Sequence, residues 1–296
     1  MGAKLRVIRR RIRSVQSTMK ITRAMELIAA SRILRAQQRV VAARPYAELL
    51  TRAMEDVARQ TGPLVHPLLE ERSDPRVAGV LVMTSDRGLA GAYNANVLRR
   101  AEDVMARARG RGLDVVLYVS GRKGLSYFRF RGQEVARSWT GHSEVPTFAV
   151  AEEIGEEAIG AFAERRIDEL HAVYTDFRSA FTTRPTDRRF LPIAPEEVVA
   201  EPGRPLPEYL FEPAPGAILD DLLPRYVTTK IYHALLESAA SEHAARQRAM
   251  KSATENAEEL IKVLTRVANQ ARQTEITTEI MEVVGGAEAI QRAAGE

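Results

Sequence analysis

The chain has 296 residues, enough for one or two domains, and its 45% hydrophobic and 28% charged residues are typical of a globular protein. Its lack of cysteine excludes a disulfide framework, a thiolate zinc site and a cysteine nucleophile. No apolar run approaches the roughly 18 residues of a membrane span, and no secretory signal follows the basic start, so we expect a soluble intracellular chain.

The first segment, about residues 3–58, is predicted to form one long helix that Pro45 kinks or interrupts. Its first part has the three-and-four spacing of a coiled-coil seam, which two looser apolar stripes continue. The seam consists of Leu5, Ile8, Ile12, Val15 and Met19, and the stripes consist of Ile21, Met25 and Ile28 and of Leu27, Leu34 and Val41.

Positive charge is concentrated at this end of the chain. Residues 1–44 carry twelve Lys or Arg and one acid, so they sum to +11, whereas the rest of the chain sums to −7. A basic helix of this kind favours an acidic partner, which could be nucleic acid, anionic lipid or an acidic protein surface. The alternative is a solvated charged face without a partner.

The middle of the chain alternates between apolar runs that end in turns and stretches of helical periodicity. This alternation predicts a small α/β domain with a largely parallel sheet, closed by a loop rich in Pro and Gly at 192–216. We expect strands at 76–86, 113–121, 133–138, 168–177 and 188–195, and helices at 94–109, 122–130 and 150–165.

From about residue 217 to residue 290 the chain is again predicted to be helical, with a kink or a restart at Pro224. Between residues 238 and 259 its only large apolar side chain is Met250. Long helices at opposite ends of a chain, each too apolar to stand alone, most simply pair with each other. A stripe of small side chains would let the partner helix approach closely, and here it consists of Ala245, Ala249, Ala253 and Ala257.

The predicted fold class is therefore α/β plus a long α-helical coiled coil. An antiparallel two-helix coiled coil forms from the N- and C-terminal segments, and a central Rossmann-like α/β domain lies between them in the sequence. The predicted boundaries are an N-terminal helix at 1–60, the α/β domain at 70–212, a C-terminal helix at 213–290 and a tail at 291–296.

Few residues offer chemistry. The turn MTSDRGLAGAYN, residues 83–94, could hold a phosphate, but its glycines make neither G-x-G-x-x-G nor a Walker motif, and a turn shaped for packing is the favoured interpretation. The five histidines show no metal-ligand spacing, and no nucleophile motif is present. We predict no catalytic site, no cofactor and no metal in this chain.

Four separated motifs resemble one family, the γ subunit of F-type ATP synthases of the bacterial type. MKITRAMELIAASR (19–32) and NQARQTEITTEIMEVVGGAEAI (269–290) resemble its terminal helices. SDRGLAGAYN (85–94) resembles its central-domain motif, and SEHAARQRAMKSATENAEELI (241–261) resembles part of its C-terminal helix. The likeness covers nearly the whole chain in the right order and includes RPYAE, YLFEPAP and LLPRYV.

The resemblance implies a rotor shaft in the F1 sector of a proton-translocating ATP synthase. The coiled coil would stand inside a hexamer of α and β subunits, and the α/β domain would contact the ε subunit and the c-ring. Rotation of the ring would drive ATP synthesis at the β subunits in sequence, with no catalysis by the shaft itself. The expected location is the cytoplasmic face of the bacterial cell membrane, with membrane association only through the Fo sector and no nucleic acid bound.

The resemblance also implies contact residues. Met25 matches a position near the acidic lever loop of the β subunit, and Glu242 and Arg246 match coupling residues of the C-terminal helix. Arg10, Lys20 and Arg23 are electrostatic candidates drawn from the basic helix. Outward polar faces at Glu242, Arg246, Lys251 and Glu255 would keep the shaft from adhering to its sleeve. The upper region that contacts the β catch loops matches Arg272, Gln273, Thr277 and Glu279, and the apolar bearing tip contains Val283 and Val284.

Two departures and one alternative complete the sequence analysis. Ala90 stands where many family members carry Cys, and the six residues QRAAGE extend past the usual end, where we expect disorder or an extended tip. The absence of an inserted cysteine pair and of a transit segment favours a bacterial source over an organelle. The alternative is a nucleic-acid-binding or scaffolding coiled-coil protein, which predicts affinity that falls steeply with salt.

Overall fold

The computed structural model describes residues 3–61, 66–179, 181–194 and 215–293. The helices are α1 (Ala3–Thr61), α2 (Tyr93–Gly110), α3 (Arg122–Phe130), α4 (Phe148–Ala163) and α5 (Pro215–Ala293). The strands are β1 (Val77–Met83), β2 (Asp114–Ser120), β3 (Arg137–Trp139), β4 (Glu169–Phe177) and β5 (Thr183–Leu191). Most of the loop predicted at 192–216, the YLFEPAP motif apart from its last residue, and residues 294–296 of the tail lie outside these ranges.

Both prolines lie inside their helices. The interruption predicted at Pro45 and the restart predicted at Pro224 therefore do not occur. Proline removes one backbone donor and crowds the carbonyl four residues earlier, which usually breaks a helix. Pro45 is exposed, so water can hydrogen-bond the carbonyl that loses its intrahelical partner.

The five strands form one sheet in the order β3-β2-β1-β4-β5, in which the first four run parallel and β5 runs antiparallel to β4. Six of the seven residues of β1 are buried, because helices cover both faces of the sheet. One face packs α2 and α3 in a cluster around Val97 and Phe128. The other face packs α4, α5 and the end of α1 around Phe162, Leu223 and Met54.

The chain divides into two compact units, Met1–Ile28 with Gln247–Glu296, and Ala29–Arg246. In the first unit α1 contacts α5, since the buried hydroxyls of Thr22 and Thr254 lie 2.8 Å apart. The second unit contains the sheet, α2 to α4 and the adjoining parts of α1 and α5. The predicted fold class, long terminal helices with a central α/β domain, is confirmed. The predicted domain boundaries stay a prediction, because the division into units follows other positions.

The buried residues of α1 are not those that its apolar stripes predict. Leu5 is buried, and the rest of the predicted seam is half-buried. Further along, the small residues Thr22 and Ala29 are buried, whereas Leu27 and Leu34 are 60% and 62% exposed. The predicted stripes are therefore wrong as a contact face. Large apolar side chains dominate a sequence pattern, but close helix contacts need small side chains at the contact itself.

Candidate functional site

A buried polar network lies at the carboxyl edge of the sheet, within the unit Ala29–Arg246. It joins the loop after β1 (84–92), the loop after β3 (140–147), Arg32 of α1 and one stretch of α5. Residues 238–246 of α5 are all buried, although none of them has a large apolar side chain. A helix surrounded by protein cannot direct polar groups to water, so these groups need partners inside the fold.

Asp86 fastens the loop after β1 to its neighbours. Its carboxylate accepts hydrogen bonds from the backbone N–H groups of Arg122 and Ser143, both at 3.0 Å, and its own N–H donates to the Ser143 hydroxyl at 2.8 Å. Burial alone would raise the pKa of Asp86, but these backbone donors outweigh burial and hold the pKa below its ordinary value. The loop is thus held by an ionised carboxylate.

The turn with Gly88 and Gly91 packs against α5. The Arg246 guanidinium donates to the Gly88 carbonyl at 3.3 Å, and Ala245 packs on Ala90 and Tyr93. One side of this turn is therefore packed on α5, as the packing interpretation predicted, while Leu89 and Gly91 are exposed. Within the described ranges no group of three or more His, Asp or Glu side chains is placed to share a metal ion.

Glu242 and Arg246 form a buried ion pair one turn apart on α5. Their side chains are 1% and 7% exposed, and Arg246 Nη2 donates to Glu242 Oε1 at 2.7 Å. Burial raises the pKa of Glu242 above its ordinary value, although the neighbouring guanidinium of Arg246 opposes the rise. The predicted outward polar face is therefore wrong for these two residues and correct for Lys251 and Glu255, which are exposed.

Glu144, in the loop after β3, is the acid at the centre of the network. Its carboxylate forms an ion pair with Arg32 of α1 and lies 3.4 Å from Arg246 of α5 and 3.8 Å from Arg87 of the loop after β1. Its backbone carbonyl lies 3.2 Å from Nε2 of His243 on α5. Three elements that are far apart in sequence thus meet at one residue.

Most other predicted contact residues are exposed on the unit Met1–Ile28 with Gln247–Glu296. Met25 is half-buried, and Arg23 pairs with Glu26 at 3.1 Å within α1. The exposed residues of the predicted set are Arg10, Lys20, Arg23, Arg272, Gln273, Thr277, Glu279, Val283 and Val284. The structure thus separates an exposed set in this unit from the buried pair Glu242 and Arg246 in the other.

Sequence reasoning missed two features. The first is the role of Glu144, for which a single acid in a loop gives no signal. The second is that many large apolar side chains are exposed. Their regular spacing in the sequence had suggested a contact face between helices. In one unit these include Ile21, Leu27, Ile28, Ile276, Ile280 and Met281, and in the other Leu34, Val41 and Leu49.

This fold class, a doubly wound sheet with two very long terminal helices, also occurs in chains of solved ATP synthase structures. A chain of the Euglena gracilis mitochondrial ATP synthase rotor in rotational state 1 matches with a TM-score of 0.66 at 18% identity, covering 93% of this chain and 100% of that chain. A chain of the OSCP/F1/c-ring structure from the same organism in rotational state 3 matches with a TM-score of 0.69 at 20% identity, covering 98% and 95%. At this identity the likeness concerns the fold alone.

Sequence comparison identifies the family. The family model described as ATP synthase matches residues 4–290. The ATP synthase gamma chain of Acidothermus cellulolyticus is 58% identical over 295 residues, covering 98% of each chain. That of Mycolicibacterium smegmatis is 52% identical over 304 residues, covering 98% of this chain and 99% of the relative. The chain belongs to the family of ATP synthase gamma chains. In the part of the chain that the structure describes, no helix is both long and apolar enough to cross a membrane.

Proposed function

We propose that this chain is the central rotor shaft of the F1 sector of a bacterial, proton-translocating ATP synthase. It couples rotation of the membrane c-ring to sequential ATP synthesis or hydrolysis at the β subunits and is not itself the catalytic subunit. The observation that carries this proposal is the match to ATP synthase gamma chains along residues 4–290, at up to 58% identity among the relatives described above.

The proposed partners are the α and β subunits, as a hexamer around the long helices, together with the ε subunit and the c-ring. The exposed apolar side chains of α1 and α5 support such partners, because isolated proteins rarely leave this much large apolar surface uncovered. The proposed location is the cytoplasmic face of the cell membrane, with attachment through the Fo sector.

The contacts with the surrounding subunits are proposed to be weak and numerous. Met25 and the exposed cations Arg10, Lys20 and Arg23 would face acids of the β subunit, and the polar residues at 272–279 would face its catch loops. Exposed ion pairs contribute only about 0.2–1 kcal/mol each, so a shaft held by them can step from one to the next. Val283 and Val284 would turn against an apolar bearing.

The buried pair Glu242 and Arg246 takes a different role in this proposal. Since both side chains are covered within the chain, they would act on coupling by fixing α5 to the loop after β1, without touching the β subunit.

Reconstitution tests the proposed function. Purified α and β subunits of the same organism would be mixed with this chain, and complex formation and steady-state ATP hydrolysis would be measured with and without it. We expect a stable complex whose hydrolysis depends on the chain. Absence of a complex, combined with DNA binding that weakens steeply with salt, would overturn the proposal and favour the nucleic-acid alternative.

A further inference from the structure

We propose that Glu144 is the positioning residue through which the α/β domain holds both long helices against twisting under load. The proposal rests on the proposed rotor function, since torque that enters at one part of the chain must leave at another. Glu144 is outside the set of contact residues that the family resemblance implies.

The contacts of Glu144 come from three separate elements. Arg32 of α1 and Arg87 of the loop after β1 face one carboxylate oxygen, and Arg246 of α5 faces the other at 3.4 Å. The side chains of Glu144 and Arg246 are only 18% and 7% exposed, so solvent screens this pair less than an ordinary surface pair, whereas the side chains of Arg32 and Arg87 are more exposed. One carboxylate therefore attracts both long helices at the same point of the fold.

The backbone of Glu144 adds a fourth contact. Its carbonyl lies 3.2 Å from Nε2 of His243, which is one turn from Arg246 on α5. Burial lowers the pKa of His243 below its ordinary value, so the ring is neutral near pH 7 and its Nε2–H donates to the carbonyl. Two residues of α5 thus hold the same loop residue, one through its side chain and one through its backbone.

The loop that carries Glu144 is itself rigidly attached to the sheet. The preceding residue, Ser143, donates its N–H to Asp86 and accepts from the Asp86 N–H through its hydroxyl, and Asp86 also accepts from the N–H of Arg122 at the start of α3. Force applied to Glu144 by either helix would therefore pass to the loops after β1 and β2. A charge on a mobile loop could not transmit force in this way.

The substitution Glu144→Gln tests the negative charge of this side chain separately from its size. Glutamine keeps the size of the side chain and one acceptor oxygen, but removes the anion that Arg32 and Arg246 share. Arg246 keeps its 2.7 Å hydrogen bond to Glu242, so α5 stays internally paired and the chain is expected to fold. Only the charge link at Glu144 is weakened, because the apolar packing of α1 and α5 on the sheet around Met54 and Leu223 remains.

The test uses the complete ATP synthase assembled with this chain in sealed vesicles, in which ATP hydrolysis and ATP-driven proton uptake are measured on the same sample. For Glu144→Gln we expect hydrolysis close to that of the unaltered enzyme and a several-fold lower proton uptake per ATP. The control Glu134→Gln removes an exposed negative charge outside the network and should leave the ratio unchanged. An unchanged ratio in Glu144→Gln would overturn the inference.

A second variant decides the question even if Glu144→Gln fails to assemble. The chain has no cysteine, so Arg32→Cys combined with Glu144→Cys can be joined selectively by a bismaleimide before assembly. We expect the joined form to pump with a normal ratio and the unjoined form to pump poorly, and equal ratios would overturn the inference. If the unaltered chain neither assembles nor pumps, the proposed function fails instead.

Discussion

Burial decides the behaviour of the charged residues on α5. Glu242 and Arg246 resemble solvated surface residues in the sequence, since Glu and Arg one turn apart are common on exposed helix faces. The structure encloses them, so their attraction is less screened, and loss of Arg246 would leave the Glu242 carboxylate as an unpaired charge in the interior.

Replacing Arg246 should show how strongly the stability of the chain depends on this buried ion pair. In Arg246→Gln the carboxylate of Glu242 stays buried without its cation, and we expect a loss of about 3–5 kcal/mol in the free energy of unfolding. Since burial already raises the pKa of Glu242, a protonated Glu242 should reduce the loss at pH 5 relative to pH 8. Urea unfolding of the isolated chain at both pH values measures the difference.

The double variant Glu242→Gln with Arg246→Gln serves as the companion to this measurement. It removes both charges, so it should lose less stability than the sum of the single variants. The exposed Lys251→Gln is the matched control for a lost cation and should change stability little. Additive single effects would show that the two charges do not depend on each other.

Replacing Glu237 should stabilise the chain, in contrast to replacing Arg246. Burial, assisted by repulsion from Asp176, raises the pKa of Glu237 from 4.5 to about 7. The folded chain therefore binds this proton more tightly than the unfolded chain, and its stability falls as the pH rises from about 4.5 to about 7. Glu237→Gln should raise the free energy of unfolding at pH 8 by at most about 3 kcal/mol, with no gain at pH 4.

The measurement is again chemical unfolding at the two pH values, with Glu134→Gln as the control for the loss of one exposed acid. The charge of His233 could affect the same experiment, because its Nδ1 lies 3.4 Å from the Glu237 carboxylate. Burial lowers the pKa of His233, so it is neutral at pH 8 and cannot compensate the buried anion there. A gain of equal size at both pH values would contradict the assignment.

At the scale of elements, α4 and α5 approach each other at a glycine. A Cβ added to Gly155 of α4 would lie 2.6 Å from the hydroxyl oxygen of Thr228 on α5, a distance that requires one of them to move. Because α4 and α5 both pack on the same face of the sheet, a small shift there is felt by the core between them. Gly155 is therefore a packing requirement.

Gly155→Ala should destabilise the chain by about 1–3 kcal/mol through overpacking, even though alanine favours a helix. Gly160 supplies the matched control, because it lies in the same helix and an added Cβ would meet nothing within 4 Å. Gly160→Ala should instead gain up to about 1 kcal/mol. Adding Thr228→Ala to Gly155→Ala should restore most of the loss, and thermal unfolding of the four chains reports all of these effects.

The sequence predicted an element well where burial gave it a regular apolar pattern, and poorly where the element is short or polar. The strands β1 and β2 were predicted because a strand covered on both faces is nearly a continuous apolar run, and β4 was predicted although Glu169 and His171 interrupt its apolar residues. The strand β3 is only three residues long and was predicted a few residues too early, and β5 begins before its predicted start because polar residues alternate along it. The long helices were predicted correctly as helices. The alanine stripe of α5 and the first seam of α1 are buried or half-buried, as predicted, whereas the looser stripes of α1 beyond Met19 are mostly exposed.

The candidate site was less predictable than the fold for the same reason. The contact face of α1 includes Thr22, Ala29 and Ala36, which no hydrophobic pattern selects. Glu242 and Arg246 were selected by the family resemblance, but their burial depends on loops that fold from distant parts of the sequence. Glu144 is recognisable only after the sheet has brought Arg32, Arg87 and Arg246 together.

At the scale of the whole molecule, surface and charge are unevenly distributed, which supports the proposed partners. The positive charge of residues 1–44 contrasts with a negative remainder, which favours approach of acidic surfaces to one end of the sequence. Between residues 276 and 287 of α5 no side chain is buried, although four are large and apolar besides Ile276. Apolar side chains that contribute nothing to the chain's own core are available to a partner.

Substitutions near the C-terminal end of α5 test whether its exposed apolar side chains are needed in the assembled enzyme. Val283 and Val284 are 72% and 53% exposed, so Val283→Asp with Val284→Asp should change the unfolding of the isolated chain by less than about 1 kcal/mol. If the two valines turn against an apolar bearing, the carboxylates lose hydration there, and hydrolysis by the assembled enzyme should fall several-fold. Ser252→Asp adds a carboxylate at another exposed position of α5 and should leave hydrolysis nearly unchanged. Normal hydrolysis by the double variant would exclude an apolar bearing at this tip, whereas a fall accompanied by unfolding of the isolated chain would mean that the valines stabilise the chain itself.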